Sequence, residues 1–531
     1  MPNSSQFPSA RLRLRLAADG PLLAWTHWSA NETEICTRIF ATPDDTESDP
    51  AAGLLISYLD TGHTRKFIVA MRSNHPDDHE ARATFFVGDA AIPLADFGTS
   101  GAVAIEVFTL HVIAEQGQVF VPPDLAVLTA IVNKGFDFDV KRLELESRLQ
   151  ENLAMLIDPK PSSHSFESRS NRTLNEAVVT VRLPPKKEDA KDFKVIATTC
   201  RYPGFAFESQ RVDAASFDII AIEHSNASGM LMLGDQIYAD ATASLFDNLT
   251  SIEKFQERYH KMFRSPGFAT AVRCIPCYMT GDDHEFSDSW SVPDDSLRKE
   301  LYSAAQQSYG IYQLSHSPFR GALNIPPFDY WFTSGPVAVY VMDTLSSRNT
   351  QVPGKEVIVS AKQLNDFGAW LKSLNDAKEL NYVILATGGV VAPGFQIALD
   401  AKTNVTDVSR AQGWENWQAF DEQRIELFKI LEACNKKILL VSGDYHCAAM
   451  ASIKNKDDKE IAKAVVAPPA YAPMRYVSKT IGMLAKTEKT GGYEINLLNE
   501  PPPTEGSGFA VIMIEKNDWK VEFKTQPVAD T

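Results

Sequence analysis

Three stretches of this 531-residue chain share one design. Leu231-Met-Leu-Gly-Asp-Gln-Ile-Tyr238, Ile275-Pro-Cys-Tyr-Met-Thr-Gly-Asp-Asp-His-Glu285 and Ile438-Leu-Leu-Val-Ser-Gly-Asp-Tyr-His446 each run apolar residues into a Gly-Asp pair, and two of them add a histidine. A short apolar run closed by a turn signal reads as a buried strand, and ligands of open α/β sheets sit outside the carboxyl ends of such strands. The pattern therefore predicts an α/β domain that delivers Asp235, Asp283 and Asp444 to one end of its sheets.

The rest of the chain fits around that domain. From Phe193 onward strand and helix signals alternate. Strands are expected over 194–199, 230–233, 275–280, 337–342, 382–386, 438–442, 464–466 and 509–514, and helices near 252–263, 297–314, 361–374 and 421–433, an alternation that indicates a layered α/β fold. Earlier in the chain, the Arg-Leu alternation over 11–16 and short apolar runs at 54–58, 66–70, 83–87 and 103–108 follow one another without helices between them. They favour a β-sandwich-like first domain. A helix is expected over 139–157, where Leu145, Leu149, Leu153 and Leu156 share one face. A shift to Pro, Ser, Lys and Glu over 159–192, interrupted by one strand pattern at 177–183, reads as a connector. The expected organisation is a mostly β domain over 1–158, the connector over 159–192 and the α/β domain over 193–531.

Composition removes several function classes. The chain is too long for one ordinary core. A net charge of −16 and a pI near 5.2 argue against a nucleic-acid or anionic-membrane surface. Six irregularly spaced cysteines argue against a disulfide framework, and the lone Cys274-x-x-Cys277 pair reads as strand packing rather than a zinc site. Met-Pro-Asn-Ser-Ser-Gln-Phe holds no apolar leader, and no later stretch is long and apolar enough to span a bilayer. A cytoplasmic or otherwise intracellular location is the expectation. No pattern specifies an oligomeric state.

The strand ends carry unusual chemistry. Cys200 follows the first strand of the α/β domain, Asp235 and Tyr238 the second, Asp282, Asp283 and His284 the third, and Asp444 and His446 a late one. Each has an ordinary reading: a buried thiol, a turn-forming aspartate, a core tyrosine, a hydrogen-bonded histidine. Together they offer thiolate, phenolate, imidazole and carboxylate, the donors a metal ion takes. Clustering that many carboxylates without cations would cost roughly several kcal/mol in repulsion and desolvation. Two other motifs serve as controls: Asp77-Asp-His-Glu80 repeats the tetrapeptide Asp282-Asp-His-Glu285 without an apolar run before it, and Val87-Gly-Asp89 ends a strand pattern with no Tyr or His nearby.

At these residues the chain resembles the PhoD-like alkaline phosphatases of the metallophosphoesterase superfamily. The matching elements are Thr199-Cys-Arg-Tyr-Pro-Gly204, Gly234-Asp-Gln-Ile-Tyr-Ala-Asp240, Gly281-Asp-Asp-His-Glu285 with Asp288 and Trp290, and Ser442-Gly-Asp-Tyr-His446. Weaker agreement lies at Val341-Met-Asp343, Gln363-Leu, Trp370-Leu, Asn416-Trp417 and Arg424. The resemblance implies a layered αββα catalytic domain and a two-metal site hydrolysing a small-molecule phosphate monoester. Cys200, Asp235, Tyr238 and His446 would hold Fe3+, and Asp235 would bridge to a second position completed by Asp283 and Asp444. Family precedent there is Ca2+, with Zn, Mn or Mg as other candidates. His284 would protonate the leaving group, and Arg201 would clamp phosphate oxygens. A phosphodiesterase of phospholipase D-like type is the alternative within enzymes. A non-catalytic metal-containing binding protein is the alternative from another class, and a third reading makes the first domain an adhesion or oligomerisation module.

The chain departs from the family in three places. It lacks an export signal, and Asp343-Thr-Leu-Ser-Ser-Arg348 replaces the familiar Asp-x-Arg, which leaves Arg348 without an assigned role. The Gly-containing segment from Thr387-Gly-Gly-Val-Val-Ala-Pro-Gly394 to Trp414 reads as a lid or substrate-side loop.

Overall fold

The computed structural model describes residues 190–202, 214–240, 252–263, 265, 267–268, 271–272, 275–288, 290–291, 296–314, 317–318, 325–350, 356–396, 416–472, 484–498 and 507–526, together with the backbone of nine earlier strands. The chain divides into two compact units. The first is made mainly of 1–26 and 34–183, the second mainly of 184–271 and 275–531.

The described part of the first unit is all strand. β1 (Arg13–Leu16), β4 (Pro50–Tyr58), β5 (Thr64–Ala70), β8 (Ala102–Ile113) and β9 (Ala177–Arg182) form one sheet, in which β9 pairs with β8. β2 (Leu23–Trp28), β3 (Glu34–Ala41), β6 (Arg72–Ser73) and β7 (Phe86–Pro93) form another. The strand within the segment read as a connector thus hydrogen-bonds into the first unit. Gly88 and Asp89 do not end a strand as expected: β7 runs on through them to Pro93. The tetrapeptide at 77–80 and the helix expected over 139–157 lie outside the described residues.

The second unit is mixed α/β and holds two sheets. In the first, β12 (Cys277–Thr280), β11 (Gly229–Leu233) and β10 (Lys194–Arg201) lie side by side in parallel. The start of β10 continues the sheet through antiparallel β22 (Ser507–Glu515) and β23 (Asp518–Gln526), while its end pairs with β19 (Pro469–Tyr471). The second sheet is centred on parallel β14 (Val337–Met342), β15 (Tyr382–Thr387), β16 (Lys437–Ser442) and β18 (Glu460–Val466). It is bordered by β13 (Tyr330–Ser334) on one side and by β17 (Ala449–Lys454), β21 (Tyr493–Leu497) and β20 (Thr487–Thr490) on the other. The central strands are mostly apolar and buried along nearly their whole length, as strands covered on both faces must be.

Among the described residues, five α-helices are bounded: α1 (Ala214–Glu223), α2 (Ile252–Phe263), α3 (Ser296–Tyr312), α4 (Ala361–Ser373) and α5 (Asp421–Glu432). α4 begins where the Ser360 hydroxyl accepts the N–H of Gln363, an N-cap. Its Leu364, Phe367 and Leu371 meet Leu427, Phe428 and Leu431 of α5 over Val383, Leu385 and Leu440 of the sheet. Each such side chain contributes roughly 1.5–3 kcal/mol by leaving water.

The two sheets touch. Tyr278 stacks on Phe332 with centroids 3.7 Å apart, and the Tyr330 hydroxyl donates to the Met279 carbonyl at 2.8 Å. At the strand ends the approach is closer still. A Cβ at Gly443 would stand 2.3 Å from the Leu233 carbonyl and 2.4 Å from the Thr199 hydroxyl, so only glycine lets the end of β16 come against β10 and β11. Contact at this point brings ligands from different sheets into one place.

Most α/β boundaries fall within a residue or two of expectation. In the second unit, the strands that sequence patterning did not anticipate, β13, β17, β19, β20, β21 and β23, are hairpin partners or short edges with little apolar run of their own.

Candidate metal centre

The loops after β10, β11, β12 and β16 meet at the site, and their backbones are unusual. Seven described non-glycine residues have positive φ, and four of them are Cys200 (43°), Asp235 (56°), Asp444 (63°) and His446 (51°). The other three, Asp458, Lys516 and Asn517, lie in tight turns between strands. Left-handed backbone at non-glycine residues is costly and persists where surrounding structure requires it. Beyond their paired region, β10 and β11 stay zipped, with Cys200 N–H donating to Gly234 O at 3.1 Å and Arg201 N–H to Asp235 O at 2.8 Å.

Four of the expected ligands come together here. The donor atoms of Cys200, Asp235 and His446 lie within 4.8 Å of one another. The Cys200 thiol is 3.3 Å from Asp235 Oδ2, the Tyr238 hydroxyl is 3.3 Å from the same oxygen, and that hydroxyl is 3.2 Å from His446 Nε2. Asp235 also belongs to a second group, with Asp283 and His284, whose donor atoms again lie within 4.8 Å of one another. Its Oδ1 is buried and has no hydrogen-bond partner among the described residues.

The electrostatics follow from burial. Burial, and then Asp235, push the Cys200 thiol well above its usual range. Burial and Cys200 do the same to the Tyr238 phenol, and burial with the neighbouring carboxylates raises Asp235 although His284 draws it down. Burial and the charge of His284 lower His446 to about 4, which keeps its imidazole neutral, the form that binds metals. The group therefore holds protons that an incoming cation would displace, inverting the local preference. Donors of mixed softness, a thiol, a phenol, an imidazole and a carboxylate with an unused oxygen, fit a metal ion.

The other expected residues are placed less simply. Asp444 sits at the same strand end, with its carbonyl 3.9 Å from Cys200 Sγ, but its carboxylate belongs to neither donor group. His284 holds the place in the second group where Asp444 was expected. Its Nδ1 lies 2.8 Å from Asp240 Oδ1, and Asp240 is fixed in turn by the Asp288 N–H at 2.8 Å. Burial opposes charge on the His284 ring, but Asp283, Asp240 and Asp235 outweigh it and hold the proton on.

Arg201 does not suit the role of phosphate clamp. It is fully buried, its guanidinium lies 3.9 Å from the centre of the Phe268 ring, and it donates to the Met262 carbonyl at 2.7 Å. A clamp needs an accessible guanidinium, and this one is enclosed among aromatic rings. Arg348 is likewise committed inside the protein, 2.6 Å from Asp282 Oδ1 with both side chains fully buried. The described part of the proposed lid is packed rather than open: Val390, Val391 and Ala392 are buried, and Trp417 N–H bonds to the Val390 carbonyl. Residues 397–415 lie outside the described residues. Cys277 is buried within β12, in keeping with a packing role.

Patterning missed two residues of the site. Asp240, which orients His284, lies two residues past Tyr238 in a quoted motif, yet nothing in spacing alone pairs it with His284. Glu285 closes the third motif, and its carboxylate turns inward.

Comparison with known proteins places these features in a family. The sequence profile of the PhoD-like phosphatases matches residues 214–523, more than half of the chain. Solved structures of the same fold include that of PhoD, with 13% identity over 97% of this chain and 94% of that one at a TM-score of 0.57. They also include the purple acid phosphatase PPD1 from yellow lupin (Lupinus luteus) seeds, with 10% identity over 96% of this chain and 72% of that one at a TM-score of 0.52. No curated protein matches the chain by sequence. At such identities the structural likeness is one of fold. The family match is one of sequence, and by it this chain belongs to the PhoD-like phosphatases, enzymes that hydrolyse phosphoesters.

Proposed function

We propose that this enzyme is a metal-dependent phosphomonoesterase acting on small phosphate esters, with Cys200, Asp235, Tyr238 and His446 as ligands of one cation. Asp235 and Asp283 would hold a second cation, with Asp444 as a further candidate ligand. The observation that carries this reading is Asp235 itself: a buried carboxylate common to two donor groups, with one oxygen left unpartnered. A bound metal would neutralise phosphate oxygens and make a nucleophile from water at neutral pH.

The chain's own residues supply the rest. His284, with Nδ1 2.8 Å from Asp240 Oδ1, would hold a proton for the departing alkoxide beside a ligand carboxylate. Asp240 fixes the ring so that the proton is presented in one orientation. The neighbouring aromatic rings, Tyr238 at 4.2 Å from His284 and Tyr202 at 5.1 Å from Tyr238, exclude water behind the ligands. Two all-strand antiparallel sheets support the finer reading of the first unit as a β-sandwich.

Turnover of para-nitrophenyl phosphate should exceed that of its bis-ester, and elemental analysis of protein purified without chelator should find metal near stoichiometric amounts. Faster hydrolysis of the bis-ester would move the assignment to a diesterase. A metal-free protein with full activity would end the metal reading altogether.

A further inference from the structure

The loops that carry Asp235 and Asp283 come from different strands, and one side chain, Glu285, gathers backbone N–H groups from both. Glu285 is fully buried and accepts four hydrogen bonds on two oxygens. Oε2 takes the backbone N–H groups of Asp235 at 2.9 Å and Asp282 at 2.7 Å. Oε1 takes the backbone N–H of Gln236 at 2.5 Å and Gln313 Nε2 at 2.7 Å. Gln313 is itself braced by the Tyr259 hydroxyl at 3.1 Å.

We infer that Glu285 is the positioning residue of the metal centre: its carboxylate holds the β11 loop against the β12 loop and so fixes the separation of Asp235 from Asp283. At a turn where Gly234 (φ 89°) and Asp235 (φ 56°) both take positive φ, the successive backbone N–H groups of Asp235 and Gln236 converge on one anion. Here that anion is supplied by the chain. Without it, the N–H groups of Asp235, Gln236 and Asp282 would be buried without this acceptor, leaving Ala239 N–H on the His284 carbonyl and the contacts of Asp240 with His284 and Asp288 to join the loops. Glutamate is specified twice over. Glutamine would turn an NH2 group toward a donor, and aspartate is too short to reach both loops.

This inference rests on the metal reading above, and the test separates the two. Metal carried by the purified protein is counted by elemental analysis before and during a challenge with EDTA, for wild type, Glu285→Gln, Glu285→Asp and Glu488→Gln. The last variant removes a buried charge elsewhere and matches the general loss of stability, which melting curves verify. Partners that orient ligands typically change metal affinity by about 10–100-fold. Both Glu285 variants should release metal faster than wild type by a factor in that range, whereas Glu488→Gln should release it at the wild-type rate. If Glu285→Gln does not fold, Glu285→Asp carries the measurement. Wild-type release rates in the Glu285 variants, or equal acceleration in Glu488→Gln, would overturn the positioning role alone. Wild-type protein that carries no metal would overturn the metal reading and this inference with it.

Discussion

The second unit buries carboxylates in two regions and balances them in opposite ways. Around Arg424 opposite charges meet within the fold, although its Nη1 has no hydrogen-bond partner among the described residues. The guanidinium is 1% exposed, donates to Asp421 Oδ1 at 2.8 and 3.0 Å, and is paired with Glu488, which is 2% exposed. Gly394 N–H and Gln418 Nε2 take up the remaining capacity of Glu488. At the strand ends, Asp235 and Asp283 share a pocket with a thiol and a phenol, and the nearby Arg348 is committed to Asp282. His284, itself shared with Asp240, lies beside them. A fold that supplies a guanidinium in one place and withholds it in the other has left the second region for a cation from outside.

The largest expected effect breaks that contrast at its centre. Asp235→Asn should remove metal and lower turnover on the order of 10^3-fold, equivalent to about 4 kcal/mol of transition-state stabilisation. The same substitution should raise the melting temperature of chelator-treated protein, because it deletes a buried carboxylate that, among the described residues, meets no cationic side chain but His284 and leaves Oδ1 without a hydrogen bond. A lower melting temperature would mean that Asp235 is already satisfied within the apo fold, and the two regions would then be alike.

Arg424→Met should behave in the opposite way. It leaves Glu488 buried without its partner, a loss of about 3–5 kcal/mol, while the remaining folded protein keeps its metal. Arg424→Met combined with Glu488→Leu should recover most of that loss, since replacing both charges removes the desolvation penalty. Denaturant titrations of the two variants measure this directly. If the single variant costs nothing, the Arg424 knot is not the charge-balanced region it is taken for.

What patterning could and could not see has a physical basis. An apolar run closing on Gly-Asp identified Asp235, Asp283 and Asp444 because strand ends in parallel sheets face one way. Proximity in sequence misled at Arg201: successive side chains along a strand point to opposite faces, so a Cys200 aimed at the ligands sends Arg201 into the rings of Phe217 and Phe268. The partners of His284, Asp282 and Glu285 lie 44, 66 and up to 50 residues away, and no local signal pairs them. Missed hairpins had local signals of their own. Gly491-Gly492 between β20 and β21, with φ of 56° and 89°, is a turn dipeptide that favours a hairpin.

Metal removal gives the next effect. If the strand-end region depends on a cation, saturation at about 100 times Kd contributes about 2.7 kcal/mol to stability, and chelation should lower the melting temperature accordingly. Asp235→Asn should show no such drop. Equal shifts in both proteins would place the stabilising metal elsewhere in the chain.

The smallest expected effect concerns a third solution to burial, neutrality. His224 follows α1 with its ring 5.4 Å from Phe509, and neither ring nitrogen has a hydrogen-bond partner among the described residues. Burial, and then the charge of Lys194, lower its pKa below 6.5. Lys524 adds to the shift, and Glu223 and Glu522 oppose it. Because the folded pKa lies below the unfolded one, the unfolded chain binds the extra proton. Stability is therefore complete above about pH 6.5 and declines as pH falls from there through the folded pKa. His224→Phe removes the titrating ring, so the melting temperature of wild type should fall further than that of the variant between pH 7.5 and 5.5. The ring is only partly buried, so the difference should stay within about 2 °C. A wild-type melting temperature that falls less than the variant's would show that His224 is protonated in the folded protein, with Glu223 or Glu522 as its partner, and would move it from the neutral group to the charge-balanced one; parallel profiles would show that burial does not shift it.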